Sequence, residues 1–348
     1  MNLAIGILAH NEESYIAATI ASLLAQTVIA DPAIAKQIVV VANGCNDHTA
    51  QAAEEALKRI PPGANCAGAV RDIAMAGKAN AWNVFVHSAT APDTDFFVLL
   101  DADIEFASAD AIERLIAHLQ NNPDVLIAPD QPVKKFGSGG GPLRPLIRAL
   151  QKTGGDDDRA LSGQLYAARA SALRSVRMPL GIVVEDGFLR AMTLTANFSA
   201  PETLSRILRA PGVRHFYKPY ESLAAIYRYE RRQAVGTTIN RFLFDAFRVW
   251  RASGLDIVSE IARRNAAEPD WLETLIAERI TNCGPIAVPK NYALRRLRRR
   301  ENWTLKNAVK APLTAASVLF DLVVAYDASR QLRHRARRGA RWDTIRKA

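Results

Sequence analysis

The chain has 348 residues, 49% of them apolar and 23% charged, an ordinary globular balance with enough length for one large domain or two. Its net charge of +10 is unevenly placed: Lys290 to Ala348 hold 16 Lys and Arg against 4 Asp and Glu, leaving 29 basic and 31 acidic residues in the first 289. Composition therefore excludes a nucleic-acid-binding surface on the body and confines the basic character to a tail. Three cysteines, Cys45, Cys66 and Cys283, are odd in number and fit no metal spacing, so a reduced compartment is expected over a disulfide framework. Met1–Leu8 lacks a basic n-region and runs into Glu12 and Glu13, which predicts a strand and no signal peptide. No stretch reaches the ~20 apolar residues of a membrane-crossing helix. The expected location is cytoplasmic.

The first 130 residues alternate strand and helix. Leu3–Ala9 is apolar and short. Asn11 is placed to cap a helix with Glu12 and Glu13 in its first turn and Ile16, Ile20, Leu23 and Leu24 at helical spacing. Strand Ile38–Ala42, helix Thr49–Ile60, strand Ala67–Ile73, helix Ala79–Ser88, strand Phe96–Leu100, helix Ala109–Gln120 and strand Val125–Ala128 follow. This rhythm predicts a Rossmann-like, mostly parallel α/β sheet with helices on both faces. It breaks at Pro129, and Gly137–Gly141 reads as a flexible loop. The acidic run Asp156–Asp158 reads as a solvated loop. Leu161–Ala168 is a returning strand, Arg190–Leu194 a helix, Val213–Lys218 a short strand and Arg241–Arg251 a helix. From about Asp256 the chain reads as helical, with no internal repeat.

Four polar segments punctuate this frame. Asp101-Ala102-Asp103 follows the apolar run Phe96–Leu100, at the carboxyl end of a buried strand, where open α/β sheets bind ligands. Two carboxylates there suit a hard divalent cation that also grips substrate phosphates. Val39–Ala42 runs into Asn43-Gly44-Cys45-Asn46-Asp47-His48-Thr49, whose amides and short side chains suit a nucleoside; the same residues also read as a plain turn with Asp47 as a helix cap. Lys78 opens a helix against the dipole, which an anionic phosphate would explain and simple solvent exposure would too. Glu185 and Asp186 are adjacent carboxylates that raise one another's pKa, as a general base requires, or a dipole-stabilised helix start.

Together these segments resemble the family-2 glycosyltransferases of the GT-A fold, over Met1 to Gly236. Ala9-His10-Asn11-Glu12-Glu13 is similar to that family's opening motif, and Ala42–Thr49 aligns without gaps to its Asp-Asp-Gly-Ser-x-Asp-Gly-Thr turn. Lys78 and Asn83 match its Gly-Lys-x-x-Ala/Gly-x-Asn segment, Asp101 and Asp103 its Asp-x-Asp, and Glu185 and Asp186 its Glu-Asp pair. The resemblance implies a glycosyltransferase of the hexosyltransferase type with Mg²⁺ or Mn²⁺ at Asp103, Asp101 beside the ribose, and Asp186 as catalytic base next to Glu185. It implies donor contacts from His10, Asn11, Glu12, Asn43, Asp47, Lys78 and Asp101, and inversion at the anomeric carbon. Two departures matter. The acids at the second strand end are Ala42 and Asn43 here, which weakens the expected uracil contact, although a UDP-sugar remains the first donor expected. Where processive synthases carry Gln-x-x-Arg-Trp, Tyr229–Gly236 keeps Arg232 but has Gln233 for the Trp, which implies transfer of a single sugar. Arg232 and Gln233 are then expected on a loop closing over the donor, with Lys78, or Arg231 and Arg232, adding charge at the phosphates. His215 reads either as a metal ligand or as a structural histidine.

The expected domains are 1–250, catalytic, and 251–348, a helical basic extension. In the extension, Leu294–Arg300 is strongly basic. Leu313–Tyr326 is mostly apolar between Lys306 and Lys310 on one side and Arg330 to Arg341 on the other. Such a helix suits peripheral contact with an anionic membrane at its inner face, and equally a helix packed on the body with a solvated end. A lipid-linked or envelope glycan is the acceptor expected by resemblance. The rival readings are a sugar-nucleotide nucleotidyltransferase, whose Gly-rich signature is missing from Ala9–Glu13, and a nucleic-acid-binding protein using the tail, which lacks interleaved aromatics; no nucleic acid is expected as a partner.

Overall fold

The computed structural model describes residues 1–135, 157–220, 222–295 and 311–338, with side chains from 315 to 336 in the last of these. Expectations for Gly137–Gly141, Asp156, Arg296–Arg300, Lys306, Lys310 and Arg341 lie outside the described residues.

Among the described residues, six strands form the main sheet: β1 (Asn2–Ala9), β2 (Ala35–Asn43), β3 (Cys66–Ile73), β4 (Phe96–Asp101), β6 (Ile127–Pro129) and β8 (Leu165–Arg169). Their order is β3-β2-β1-β4-β8-β6. β1 pairs in parallel with β2 and with β4, and β2 with β3; β8 runs antiparallel between β4 and β6. The predicted fifth strand is therefore β6, separated from the parallel set by β8. The apolar runs follow from burial on both faces. In β1, Ala4 and Leu8 enter one core while Leu3, Ile5 and Ile7 enter the other. In β4, Phe97 and Leu99 face one side, and Phe96, Val98 and Leu100 the other. Strand order reverses between β1 and β4, and a ligand crevice opens outside the carboxyl ends at such a reversal.

A second sheet of β5 (Glu105–Phe106), β9 (Arg214–Tyr217) and β7 (Gln131–Lys134), with β9 central, stands beside that crevice. The helices of the first half are α1 (Ile16–Leu24), α2 (Thr27–Ala30), α3 (Thr49–Leu57), α4 (Lys78–Val84) and α5 (Ala111–Asn121). α1 has Tyr15 at its N-cap position, four residues after the proposed Asn11 cap. Asn11 adopts φ 56°, in the left-handed region, and Glu12 and Glu13 lie in the turn before the helix, whose first turn holds no acid. α4 passes into a π-helical turn, Phe85–Ala89, within the predicted helix Ala79–Ser88.

In the second half come α6 (Ala170–Arg174), α7 (Glu185–Leu194), α8 (Leu223–Ala252), α9 (Ile257–Ala267), α10 (Trp271–Thr281), α11 (Lys290–Ala293) and α12 (Ala311–Arg338). α8 corrects the sequence reading. The Ser222 hydroxyl accepts from the Ala225 amide at 3.1 Å, and the cap opens one 30-residue helix that includes Tyr229–Gly236. Arg231, Arg232 and Gln233 are thus helical and form no closing loop. Phe188 of α7 packs on Phe247 of α8 with ring centroids 6.0 Å apart, a pairing worth roughly 0.5–1.5 kcal/mol beyond burial. The core on this face continues through Trp271 and Leu272 into Val324, Ala328 and Leu332 of α12. The helices after residue 251 therefore share one apolar cluster with the sheet.

Candidate active site

The carboxyl ends of β1, β2 and β4 lie in register, Leu8 opposite Asp101 and Ala9 opposite Ala42. This pairing brings His10–Glu13, Asn43–Asp47 and Asp101–Asp103 to one edge. Beside it opens a cleft of about 660 Å³, whose walls include Lys78, Asp101, Asp103, Glu185, Asp186, Arg232 and Gln233.

Lys78 is the hub. Its Nζ lies 2.6 Å from Asp101 Oδ1 and 2.8 Å from Glu185 Oε1, and donates to the Gly163 carbonyl at 3.1 Å. The anion that a lysine at this helix start calls for is thus supplied by the protein's own carboxylates. Burial pushes the Lys78 pKa down, but Asp101 and Glu185 more than reverse this and hold it protonated. Gly163 permits the cluster: a Cβ there would stand 3.0 Å from Glu185 Oε1 and 3.5 Å from Lys78 Nζ.

Burial raises the Glu185 pKa, and the charges of Lys78 and Arg232 outweigh it and keep the carboxylate ionised. Its neighbour takes the opposite course. Burial, then the Glu185 charge, push Asp186 up to about 6, against the Gly187 amide, which donates to Oδ1 at 2.7 Å. Two adjacent carboxyls with pKa values driven apart are the arrangement that separates a fixed charge from a proton acceptor. α8 holds them in place. Asn240 Nδ2 donates to the Val184 carbonyl at 3.0 Å and Arg232 Nη2 to the Val183 carbonyl at 3.3 Å. Gly236 leaves room for Val184, whose Cγ2 would lie 2.2 Å from a Cβ at that position.

The strand-end acids crowd one another. Burial and then the Asp101 charge raise Asp103. Burial, followed by Asp103, Asp101 and Asp47, pushes Glu12 up to about 7. His215 is fully buried near Asp103, with Nδ1 2.6 Å from Asp130 Oδ2 and with Nε2 buried and without a hydrogen-bond partner. Among the described residues no group of three or more His, Cys, Asp or Glu forms a metal cage. The donor set still fits a divalent cation that completes its shell from phosphate and water: hard oxygens, mutual repulsion to relieve, and an orphaned imidazole nitrogen alongside.

The remaining sequence-proposed residues have local partners. Asn43 is 3% exposed; its Nδ2 donates to the Ala9 carbonyl at 2.6 Å and its Oδ1 accepts from the Gly77 amide at 2.9 Å. It clips β1, β2 and the start of α4 together, which uses its amide for structure. Asp47 Oδ1 accepts from Thr49 N at 3.1 Å and Thr49 Oγ1 at 2.5 Å; these bonds overcome burial and hold its pKa low. His10 Nδ1 lies 2.6 Å from the Asn43 carbonyl, and Asn11 Oδ1 accepts from the Asn46 amide at 2.9 Å. The opening segment and the β2 turn are thus laced into one shelf beside the cleft. Arg231 does not line the cleft: it meets Asp327 of α12 at 3.1 Å, on the far side of α8. Sequence reasoning missed Tyr217, Tyr220 and Lys134, which line the cleft, and Asp130 behind His215. None follows a chemical motif. Tyr220 and Tyr229 stack with centroids 4.8 Å apart at the cleft.

The α/β frame sets paired acids at the strand-order reversal, with Glu185 and Asp186 joined to them through Lys78 in one cleft. Residues 4–175 match the model of glycosyl transferase family 2. That segment is a family-2 glycosyltransferase domain, and the protein is a glycosyltransferase with the mixed α/β arrangement of the GT-A fold. No curated protein matches it. Among solved structures it is similar to S. aureus TarS 1-349, at 15% identity over 98% of this chain and 92% of that one, with a TM-score of 0.45. TarS 1-349 in complex with UDP-GlcNAc gives 14% identity, 97% and 92% coverage and a TM-score of 0.44. Glucosyl-3-phosphoglycerate synthase from Mycobacterium tuberculosis, in complex with Mg²⁺ and uridine-diphosphate, gives 21% identity, 67% and 78% coverage and a TM-score of 0.42.

Proposed function

We propose that this protein is a metal-dependent, inverting glycosyltransferase that moves one sugar from a nucleotide-sugar donor, a UDP-sugar first, to a hydroxyl of a lipid-linked or envelope glycan. The observation that supports it most directly is the arrangement in one cleft of the strand-end acids Asp101 and Asp103 with Glu185 and Asp186, Lys78 bridging Asp101 and Glu185 and the Asp186 pKa raised to about 6. A carboxylate with that pKa is mostly ionised at neutral pH yet basic enough to take the acceptor's proton as its oxygen attacks the anomeric carbon. Attack with the leaving diphosphate on the opposite face inverts that carbon.

Asp103, with Asp101 and the buried His215 near it, is the group proposed to hold Mg²⁺ or Mn²⁺, which when bound neutralises charge on the leaving diphosphate. Lys78 fixes Asp101 and Glu185 in one geometry, so both carboxylates are set before substrate arrives. Arg232 lines the cleft and adds positive charge near the phosphates. His10, Asn11, Glu12 and Asp47 form the shelf proposed for the nucleoside. Gln233 lines the same cleft in place of a large aromatic, consistent with single transfer.

Calorimetry of UDP binding with Mn²⁺ and with chelator tests the donor half. Metal-dependent binding that Asp103→Ala abolishes supports the assignment; equal binding in chelator removes the metal from it.

A further inference from the structure

The helix α12 has two faces of different chemistry. Its inner face carries Val324, Ala325, Ala328 and Leu332, all buried in the core shared with α8 and α10. Both of its described acids are engaged by the body. Asp321 is buried, 3.4 Å from Arg295. Asp327 accepts from Tyr227 Oη at 2.8 Å and from Arg231 Nη1 at 3.1 Å. The outer face carries Leu319, Leu322, Val323 and Tyr326 at i, i+3, i+4 and i+7. Leu319 is 63% exposed, Val323 49% and Tyr326 58%. Arg330 and His334, also exposed, continue this line over the next two turns. No described carboxylate of the helix shares it.

A contiguous exposed apolar stripe marks an interaction surface, and charge names the occupant. Lys290 to Ala348 hold 16 Lys and Arg against 4 Asp and Glu, and two of those four acids are the pair engaged by the body. Aliphatic side chains with an amphipathic tyrosine, continued by Arg330 and His334 and belonging to a segment whose sequence is rich in Lys and Arg, complement a bilayer with anionic headgroups. A second copy of this face would bring like charges together, which disfavours self-association. Among the described residues no helix is long and apolar enough to cross a membrane, so the contact is one of lying on the surface.

We infer that the outer face of α12, centred on Leu319, Leu322, Val323 and Tyr326, docks the enzyme on an anionic lipid surface. The inference rests on the proposed lipid-linked or envelope acceptor for its purpose. Bare vesicles test it without donor or acceptor, so the two readings fail separately.

The test is flotation of the full chain with phosphatidylcholine vesicles, with and without about one-third phosphatidylglycerol, at low and high salt. The wild type is expected to float with anionic vesicles. Its partitioning should drop roughly tenfold or more with neutral vesicles, and equally in Leu319→Ser/Val323→Ser/Tyr326→Ser, whose changes are all on solvent-exposed positions. An unchanged thermal midpoint shows that this variant stays folded. Arg330→Gln should give a smaller loss that disappears at high salt. A wild type that stays soluble beside anionic vesicles overturns the inference. So does a triple variant that floats as well as the wild type. Concentration-dependent self-association, abolished by the triple variant without any flotation, overturns it in favour of a second copy.

Discussion

Replacing Lys78 with Met separates the architecture of the site from its chemistry. The ammonium makes two ion pairs, at 2.6 and 2.8 Å, and one hydrogen bond at 3.1 Å to a carbonyl. Removing one partner of a buried ion pair costs about 3–5 kcal/mol, because the charge left behind is uncompensated. Here the lower end applies: the side chains of Lys78 and Asp101 are a quarter exposed, and Arg232 still faces Glu185. A loss of about 3 kcal/mol lowers the thermal midpoint by roughly 4 °C for a chain of this size. Scanning calorimetry of wild type and Lys78→Met at neutral pH reads this directly. The sign with pH is checkable. Lys78 and Glu185 are, respectively, raised and lowered in pKa on folding. The Glu185 share of the stabilisation is present above its unfolded pKa and lost as pH falls through the folded value; the Lys78 share is lost only at strongly alkaline pH. The gap between wild type and variant should therefore narrow in acid. Adding Asp101→Asn and Glu185→Gln to Lys78→Met removes the stranded charges, so the triple variant should regain most of the stability and none of the activity. A single variant that melts with the wild type would show that the triad is solvated and holds nothing in place.

Asp186→Asn should keep donor binding and lose transfer by about 10²–10⁴-fold; unchanged transfer removes Asp186 as the base. With Asp186 at about 6, its ionised fraction falls from about nine-tenths at pH 7 to about one-tenth at pH 5, so the turnover number should drop nearly tenfold over that interval. A flat profile from pH 7 to 5 contradicts this. Asp103→Ala should abolish the metal dependence of donor binding while leaving the melting temperature near wild type or higher, since it relieves repulsion with Asp101; preserved metal dependence moves the cation elsewhere. Gly236→Ala forces a Cβ to within 2.2 Å of Val184 Cγ2, and should cost about 1–3 kcal/mol of stability and displace the Glu185–Asp186 turn; an unaltered midpoint would show that Val184 yields freely.

Strands β1, β2 and β4 were legible because each is buried on both faces, so the alternation that marks a strand's period becomes an unbroken apolar run; β3, at the sheet edge with no fully buried residue, was placed by the strand–helix rhythm. The same logic fails for the small sheet. β5 is two residues long, and β7 carries Gln131, Pro132 and Lys134, none fully buried. α8 was read as a loop and a shorter helix because Tyr229–Gly236 places Glu230, Arg231, Arg232 and Gly236 in sequence. Their partners are Arg295, Asp327, Val183 and Val184, which no local pattern foretells. The dipole argument at Lys78 rightly asked for an anion; that Asp101 and Glu185 are that anion depends on contacts 23 and 107 residues away. Asn43 was read as a donor contact from its place in a turn motif, and burial gave it a clipping role. That Asp103 follows a strand end and that Asp186 stands beside Glu185 at the cleft was readable because strand ends and adjacent acids are local features.

The most direct measurement is nucleotide release from a panel of UDP-, GDP- and other sugar nucleotides, with Mn²⁺ or chelator, by wild type and Asp103→Ala. The account predicts slow, metal-dependent release from one donor, a UDP-sugar first, that is absent in the variant. Release that ignores chelator and persists in Asp103→Ala would contradict it.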